Sequence, residues 1–354
     1  MTETYRIAVL PGDGIGPEVI AEGVKVLQAV EQRMPDVTFQ LRNFSVGAAE
    51  YLRSGNPLPE ETFRSIQEFD AILLGAMGLP DVRWPNGVEM APQLDLRERL
   101  DLYAGLRPIY LFHDSDTPLK ARSAGEIDFI LVRESTEGLF SARHGTYSAT
   151  DPEARDTMKI TRRTSERLFR AAFRLAEKRR KQVTLVDKAN VLPSMAYFRG
   201  IFDEISREFP GVATEKIYVD AAALYLVTRP QDFDVMVTEN MFGDILSDLG
   251  AAIVGGMGMA PSADIGDRHA VFQPSHGSAP TIAGQGIANP VATILSVAMM
   301  LEWFDSPLTR QGAGLIRAAV CKGLASAGHR TRELGGALST IAMGDRIASL
   351  VGDS

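Results

Sequence analysis

Short apolar runs that alternate with helical patterns are the feature that most limits the possible folds of this chain. Four of these runs are about the length of a buried strand and cover residues 5–10, 70–75, 129–132 and 183–187. The first run is followed by apolar residues at helical spacing. This alternation predicts an α/β fold with a largely parallel sheet. At 354 residues the chain is also too long for one small core, so two domains are expected.

Charge and composition argue against several classes of protein. A net charge of −8 is unlike that of a nucleic-acid-binding protein, which normally carries a basic face. The single cysteine, Cys321, cannot form an internal disulfide, which fits a reducing compartment. The amino terminus lacks a signal-peptide pattern, and no apolar run approaches the ~20 residues of a membrane span. We therefore expect a cytoplasmic protein whose partners include neither a membrane nor a nucleic acid.

Two aspartates follow the apolar run 233–237 on a predicted helix. Asp244 and Asp248 are four residues apart, so they project from one helix face. A solvated surface is the commoner reason for such a pair, because charged residues are mostly exposed. Here apolar residues flank the pair and a glycine-rich stretch follows at 255–258, which favours the wall of a cleft. Such a wall could hold Mg²⁺ or Mn²⁺, which prefer oxygen ligands.

Charged residues also stand where predicted strands end. Arg133, Lys188 and Asp220 end or follow apolar runs directly, and Asp244 follows after the next loop. Open α/β sheets bind ligands at the carboxyl ends of their strands. The pattern therefore predicts one polar site that binds an anionic substrate through a metal. Lys188 could act there as a general base if it is partly desolvated.

Two loops are candidates for holding a cofactor. Residues 11–17 have the spacing G-x-G-x-G between a strand and a helix, which differs from the G-x-G-x-x-G of the Rossmann unit. A structural turn and a ligand loop both remain open for this segment. His276 is followed by small residues, which would leave room for a planar ligand. The polar stretch 140–161 has little helical periodicity and could be a mobile loop or an arm that pairs with a second subunit.

Several longer motifs resemble the β-decarboxylating dehydrogenases, the family of 3-isopropylmalate, isocitrate, homoisocitrate and tartrate/D-malate dehydrogenases. They occur in family order along nearly the whole chain, at residues 12–18, 106–108, 132–134, 136–137, 187–190, 239–248, 276–280 and 286–290. The resemblance implies the isopropylmalate/isocitrate dehydrogenase-like fold, which is not a Rossmann fold. Its first, cofactor-binding domain would comprise residues 1–102 and 256–354. The inserted domain, 103–255, would carry an intersubunit arm at about 140–161 and would form a homodimer with shared active sites.

The resemblance also implies roles for individual residues. Lys188 and Asp220 would be the catalytic residues, which each subunit gives to its neighbour's cleft. Asp220, Asp244 and Asp248 would bind Mg²⁺ or Mn²⁺. The carboxylates of a small dicarboxylate substrate would be held by Arg97, Arg107 and Arg133, with Leu94 and Met90 beside its substituent. The cofactor, NAD, would be held by Ile15, His276, Gly277, Ser278, Ala279, Ile282 and Asn289.

Three positions depart from the family pattern. Phe140 stands where the family has the tyrosine that protonates the enolate, and phenylalanine has no proton to give. A water, Tyr147 or His144 could replace it, or the last step could be slow, or a different product could be released. Thr281 replaces the acid that binds the adenosine ribose in NAD-dependent members, but the lysine–tyrosine pair of NADP-preferring isocitrate dehydrogenases is also absent. Residues 90–96 match neither the isopropylmalate nor the homoisocitrate pattern.

The function expected from the sequence is NAD-dependent, metal-dependent oxidative decarboxylation of a 3-substituted (2R)-malate similar to 3-isopropylmalate. One alternative is oxidation of a related 2-hydroxy diacid, such as tartrate, D-malate, isocitrate or homoisocitrate, without efficient decarboxylation. The other is a non-catalytic binding or regulatory subunit.

Overall fold

A single twisted sheet runs through the molecule. The computed structural model describes residues 2–148 and 150–353, so residue 149 of the predicted arm and the two terminal residues of the predicted first domain lie outside it. The strands are β1 (Glu3–Gly12), β2 (Val37–Asn43), β3 (Ala71–Ala76), β4 (Ala104–Tyr110), β5 (Asp128–Glu134), β6 (Gln182–Asp187), β7 (Ala213–Tyr218), β8 (Val235–Thr238), β9 (Pro261–Ile265) and β10 (Ala270–Pro274).

Helices cover both faces of this sheet. They are α1 (Gly16–Arg33), α2 (Ala48–Ser54), α3 (Glu60–Ile66), α4 (Pro92–Arg99), α5 (Arg162–Glu177), α6 (Pro193–Ile205), α7 (Val219–Thr228), α8 (Asn240–Ala252), α9 (Val291–Trp303), α10 (Pro307–Leu324) and α11 (Thr340–Gly352). The helices within residues 2–148 and 150–353 are too short or too polar for a transmembrane span.

The strand order explains how two halves of the chain form one sheet. It is β2-β1-β3-β10-β9-β4-β5-β8-β6-β7. The pairs on either side of the centre are parallel, whereas β10–β9, β9–β4 and β4–β5 are antiparallel. The α/β fold class and the largely parallel sheet predicted from the sequence are confirmed. The antiparallel centre was not predicted.

The buried apolar side chains form separate clusters on the two sides of the sheet's centre. Three clusters draw their buried members from residues 7–102 and 259–351, and the largest of these lies between β1, β3, β10 and helices α1, α9, α10 and α11. The other two draw theirs from residues 104–254 and include a group of phenylalanines on α5 and α6 whose rings contact one another. This separation is compatible with the predicted boundaries. The division into domains itself stays a prediction.

Two local predictions need correction. Asp220 was expected at the end of a strand, but β7 ends at Tyr218 and Asp220 lies in the first turn of α7, where the helix dipole favours an acid. The sequence also predicts a helix over residues 91–103, whereas α4 spans Pro92–Arg99. Asp101 takes a positive φ of 53°, a conformation that a right-handed helix cannot continue.

The predicted arm begins and ends at one point of the inserted region. Gly138 and Lys159 exchange backbone hydrogen bonds of 2.9 and 3.1 Å and form an isolated antiparallel bridge. A short 3₁₀ turn, Leu139–Ala142, follows Gly138 and carries Phe140. The segment between the paired residues is therefore tied at its base, and its role between subunits stays a prediction.

Candidate active site

A polar cavity of about 260 Å³ opens beside the centre of the sheet. It lies between α4, the ends of β3, β5 and β10, and the first three turns of α8. Its charged and apolar lining includes predicted substrate, metal and cofactor residues: Leu94, Arg97, Arg107, Arg133, Phe140, Asp244, Asp248, His276 and Gly277. The structure therefore brings these predicted residues to one cavity, and their roles there stay predictions.

The three predicted substrate arginines are almost fully buried in the wall of this cavity. Arg97, Arg107 and Arg133 have relative exposures of 8%, 5% and 3%. Burial and the neighbouring charge of Arg97 lower the pKa of Arg133 to about 10, which leaves its guanidinium charged at neutral pH. Buried cations are costly unless an anion compensates them, so their clustering requires a partner.

That partner is Asp264, a residue that the sequence analysis did not identify. It is fully buried in β9 and accepts hydrogen bonds of 3.0 Å from Arg97 Nε and 3.1 Å from Arg107 Nη2. Gln273 Nε2 donates to it at 2.7 Å. Burial opposes its ionisation, but Arg107 and Arg97 outweigh burial and hold its pKa far below the usual range. A lone acid within an apolar strand was the available signal, because such an acid needs a buried cation.

Arg133 is held separately, at the beginning of α8. Its Nε and Nη2 donate to Oδ1 of Asn240 at 2.9 and 2.8 Å, and its Nη1 forms a short ion pair with Asp244. Asn240 in turn donates to the Glu137 carbonyl oxygen at 3.0 Å. The ring of Phe140 lies 5.2 Å from the Arg133 guanidinium, so the side chain that lacks a hydroxyl group faces the cavity.

Asp244 and Asp248 both line the cavity, as expected for a metal site. Burial and the charge of Asp244 raise the pKa of Asp248 above its usual range. Two neighbouring carboxylates in this setting fit a divalent cation between them and a substrate. Among residues 2–148 and 150–353, no group of three or more histidine, cysteine, aspartate or glutamate residues is placed to hold a metal. One chain thus offers two of the three predicted ligands.

Lys188 and Asp220 lie elsewhere. Lys188 Nζ is 2.5 Å from Asp220 Oδ1, and the pKa of Asp220 is lowered by this hydrogen bond. The pair is at the surface, and neither residue belongs to the lining that the described residues give the cavity. Within one chain, the structure therefore does not bring Lys188 and Asp220 to the cavity that Arg133 and Asp244 line. Their place in a neighbouring subunit's cleft stays a prediction. Strands β6 and β7 lie at the far edge of the sheet, beyond β8, and their charged residues pair with each other instead.

The strand end before Lys188 is rigid. Asp187 is fully buried and accepts two hydrogen bonds of 2.7 Å from Arg199 and one of 2.9 Å from the backbone N–H of Ala189. Lys188 projects from this fixed turn with its Nζ 5.7 Å from the centre of the Tyr218 ring. The lysine and its acid are thus held at an exposed edge of the molecule.

The predicted cofactor residues form one wall that extends from the cavity. His276 and Gly277 line the cavity, and burial lowers the pKa of His276, which favours the neutral ring. Within the described part of the chain, its Nε2 is buried without a hydrogen-bond partner. Ile15 packs beside Ala279 and Ile282 in a small apolar cluster. An unsatisfied ring nitrogen beside apolar side chains fits a heterocyclic ligand.

The glycine-rich loop packs directly against this wall. Ile15 donates its backbone N–H to the Ser278 carbonyl oxygen at 2.8 Å, and a Cβ added at Gly14 would lie 1.9 Å from that oxygen. The carboxylate of Asp13 accepts three backbone hydrogen bonds of 2.7 to 2.9 Å, which anchor the loop to α2 and to Gly78. The close packing of the loop against Ser278 is therefore sufficient to explain why residue 14 is glycine. A ligand role for the loop stays open.

Two further predicted residues differ in their placement. Asn289 is buried and donates to Glu333 at 3.2 Å, so it supports the base of the cofactor wall. Met90 is 1% exposed and does not contribute to the cavity lining that the described residues form, unlike Leu94. The structure therefore places only Leu94 where a substrate substituent could contact it.

Comparisons with known proteins agree with this arrangement. A family model described as isocitrate/isopropylmalate dehydrogenase matches residues 6–347. The chain is 48% identical to 3-isopropylmalate dehydrogenase of Moorella thermoacetica over 339 residues, 93% of each chain, and 44% identical to that of Thermotoga maritima, covering 97% and 98%.

Solved structures show the same fold. A crystal structure of isocitrate dehydrogenase from Methylococcus capsulatus superposes with a TM-score of 0.88 at 37% identity, covering 98% of this chain and 99% of the other. A β-decarboxylating dehydrogenase from Thermococcus kodakarensis gives a TM-score of 0.82 at 38% identity, covering 99% and 96%.

Replacing Asp264 by asparagine should destabilise the protein, because it leaves Arg97 and Arg107 buried without their anion. We expect a loss of about 3–5 kcal/mol in the free energy of unfolding, measured by urea denaturation. Asp232→Asn is the matched control, since Asp232 pairs with Arg229 at the surface, and this change should cost less than about 1 kcal/mol. Equal losses in the two variants would contradict the role assigned to Asp264.

Proposed function

Because this chain belongs to the isocitrate/isopropylmalate dehydrogenase family, whose members are β-decarboxylating dehydrogenases that act on a CH–OH group, we propose a substrate for it. That substrate is a (2R)-malate with an apolar 3-substituent, similar to 3-isopropylmalate, and the hydride acceptor is NAD. Relatives at 42–48% identity that carry the name 3-isopropylmalate dehydrogenase support this choice. Leu94, the one predicted substituent contact that lines the cavity, supports it as well.

The arginine cluster around Asp264 is the observation that carries the proposal. Arg97 and Arg107 share the one fully buried carboxylate of Asp264, so one positive charge remains without an anion there. Arg133 lies in the same cavity wall and pairs with Asp244. Arginine binds carboxylates through paired hydrogen bonds, so Arg97, Arg107 and Arg133 can hold both ends of the substrate in a fixed orientation.

The metal would be held by Asp244 and Asp248 of one subunit and Asp220 of a second copy. When bound, Mg²⁺ or Mn²⁺ would supply Lewis-acid chemistry that favours ionisation of the substrate hydroxyl and polarises the resulting ketone. Burial and the charge of Asp244 raise the pKa of Asp248, and a cation bound between the two carboxylates would stabilise both in their charged form.

A second copy would also complete the proton chemistry. Its Lys188, paired with Asp220, would take the proton from the substrate hydroxyl while hydride passes to the nicotinamide. The bond to the β-carboxylate then breaks, CO₂ departs, and the electron pair left on carbon 3 must receive a proton. One proton is removed and one is returned, so the overall reaction converts the malate and NAD⁺ into a 2-oxo acid, CO₂ and NADH.

A homodimer with shared sites is supported by the placement of Lys188 and by the surface around it. The pair Lys188–Asp220 is exposed and lies apart from the cavity. On the neighbouring helix α7, Leu224 and Val227 are exposed apolar side chains, and Ile245 on the adjoining α8 is exposed as well. A surface that combines catalytic residues with exposed apolar groups suits a subunit interface.

For the cofactor, we propose that the wall formed by His276, Gly277 and Ser278 together with Ile15, Ala279 and Ile282 holds NAD, with Asn289 supporting its base. His276 Nε2 is available for a hydrogen bond to the adenine. Thr281 is exposed and carries no positive charge for a 2′-phosphate, which favours NAD over NADP.

A second candidate function follows from Phe140. Its ring lines the cavity beside Arg133, and a phenylalanine side chain has no hydroxyl group that could return the proton to carbon 3. The chain could therefore oxidise a related diacid, such as tartrate, D-malate, isocitrate or homoisocitrate, and decarboxylate it poorly. A non-catalytic subunit is the less favoured reading, because the lysine, the three aspartates and the three arginines are all present.

The first test is turnover across 3-isopropylmalate, malate, tartrate, isocitrate and homoisocitrate with Mn²⁺, followed by NADH or NADPH absorbance and by CO₂ release. We expect the highest kcat/KM with 3-isopropylmalate and NAD, and loss of activity when EDTA removes the metal. A strong preference for NADP, or for a polar substituent, would overturn the corresponding part of the proposal. No turnover of any of these acids would favour the non-catalytic subunit.

Shared active sites can be tested by mixing two inactive variants. Lys188→Ala and Asp244→Asn should each abolish turnover, since each removes a residue from both sites of a homodimer. Subunits unfolded together and refolded at equal ratio should recover about a quarter of wild-type activity, because half of the dimers would each contain one intact site. Refolding each variant alone is the control. No recovery in the mixture would argue that both residues act within one chain.

The Phe140→Tyr variant should speed decarboxylation. A tyrosine hydroxyl would supply the missing acid, so CO₂ released per NADH should rise, and the rate of CO₂ release should approach the ~10²-fold gain that a positioned general acid provides. Phe140→Leu, which removes the ring without adding a hydroxyl, should show no such gain. An unchanged rate and CO₂ yield in Phe140→Tyr would show that this position does not limit the reaction.

A further inference from the structure

Helix α4 contributes residues to the cavity but is too short to be stable without contacts to the rest of the protein. It contains 8 residues, Pro92–Arg99, and supplies Gln93, Leu94 and Arg97 to the cavity lining. Isolated helices of this length are marginal in water, so tertiary contacts must fix α4. Leu96 packs into a buried cluster, and Arg97 contacts Asp264.

Two acidic side chains of α4 are held by Arg143, the residue that follows the 3₁₀ turn. Arg143 Nη2 donates to Asp95 at 2.7 Å and to Glu98 at 2.9 Å, and its Nε donates to Glu98 at 3.0 Å. Its side chain is 20% exposed, compared with 35% and 36% for the two acids. Three charge-assisted hydrogen bonds from one planar group fix both distance and orientation.

Arg143 directly follows the turn that carries Phe140. Its backbone N–H donates to the Phe140 carbonyl oxygen at 3.2 Å, so its position is coupled to that of the ring. Arg143 therefore links two walls of one cavity. One wall is α4, and the other is the 3₁₀ turn, whose Phe140 ring lies beside Arg133.

We propose that Arg143 is a positioning residue, a clasp that holds α4 at the distance from Phe140 and Arg133 at which one dicarboxylate contacts both walls. The inference rests on the proposed function for the identity of the ligand. Its physical basis is preorganisation: a helix held in place needs no ordering when substrate binds, whereas a loose helix does. Arg143 itself does not line the cavity formed by the described residues.

The test compares Arg143→Gln with Arg162→Gln. Arg162 also contacts two carboxylates, Glu166 and Glu204, but on α5 and α6, away from the cavity. In Arg143→Gln, KM for the preferred malate should rise roughly tenfold, about the value of one lost charge-assisted hydrogen bond, while kcat changes less than KM. Arg162→Gln should leave KM unchanged. A KM within twofold of wild type in Arg143→Gln would overturn the clasp.

The acids distinguish a clasp from simple charge neutralisation. If Arg143 only screens Asp95 and Glu98 from an anionic substrate, Asp95→Asn combined with Glu98→Gln should lower KM. A clasp predicts instead that this double change raises KM as much as Arg143→Gln does, and that joining all three changes adds little, because each removes the same contact. A lowered KM or additive effects would overturn the proposal.

A measurement without substrate keeps the clasp separate from the proposed function. Amide hydrogen exchange in residues 92–99 should be faster in Arg143→Gln than in the wild type and unchanged in Arg162→Gln. If the wild type turns over no malate, the proposed function fails, and faster exchange would still support the clasp. Unchanged exchange in residues 92–99 would overturn it whatever the activity.

Discussion

The burial of Asp264 is the interaction on which the site depends. Its carboxylate lies in β9 at the seam of the sheet, where β9 pairs with β4 and Asp264 stands opposite Gly105. A Cβ at Gly105 would come within 2.9 Å of the carboxylate and 2.6 Å of Ser135 Oγ, so only glycine leaves the required space. One acid thus allows Arg97 and Arg107 to remain charged in the interior, and these residues come from opposite sides of the predicted domain boundary. The same carboxylate therefore holds the arginines of the cavity and lies where the two halves of the sheet meet.

Some charged residues of the protein pair with each other in the interior, whereas others face the cavity or the surface, where a ligand can reach them. Asp264 is satisfied within the chain. Asp244 and Asp248 face the cavity, where Asp244 pairs with Arg133, and Lys188 and Asp220 pair at the surface. The first arrangement stabilises a fixed frame. The others leave charges where a metal, a substrate or a second subunit can meet them. Asp264 thus stabilises the fold, whereas Asp244, Asp248 and Asp220 are the carboxylates placed to bind a ligand.

The fold class and the shared helix face of Asp244 and Asp248 could be predicted from the sequence, because run length and helical spacing are local patterns. The three substrate arginines were grouped only by the family resemblance. Asp264 was not predicted, because its partners Arg97 and Arg107 are more than 150 residues away in the chain. The strand order, which depends on long-range pairing, keeps Lys188 away from the cavity of its own chain, and its place in a neighbouring subunit stays a prediction. Arg143 gave no signal because its acids lie on another element. The domain boundaries, the dimer and the cytoplasmic location stay predictions.

The interleaving of the two chain halves also constrains the order in which the protein can form during synthesis. Strand β10 lies between β3 and β9, and α1 packs against α11, so the amino-terminal elements lack a neighbouring strand and helix until the last part of the chain appears. Residues 104–254, in contrast, form clusters from one continuous stretch and can collapse as soon as they emerge. The earliest strands to be synthesised are therefore among the last to be completed. Until β10 is synthesised, one edge of β3 has no neighbouring strand, and a strand of another chain could pair with it.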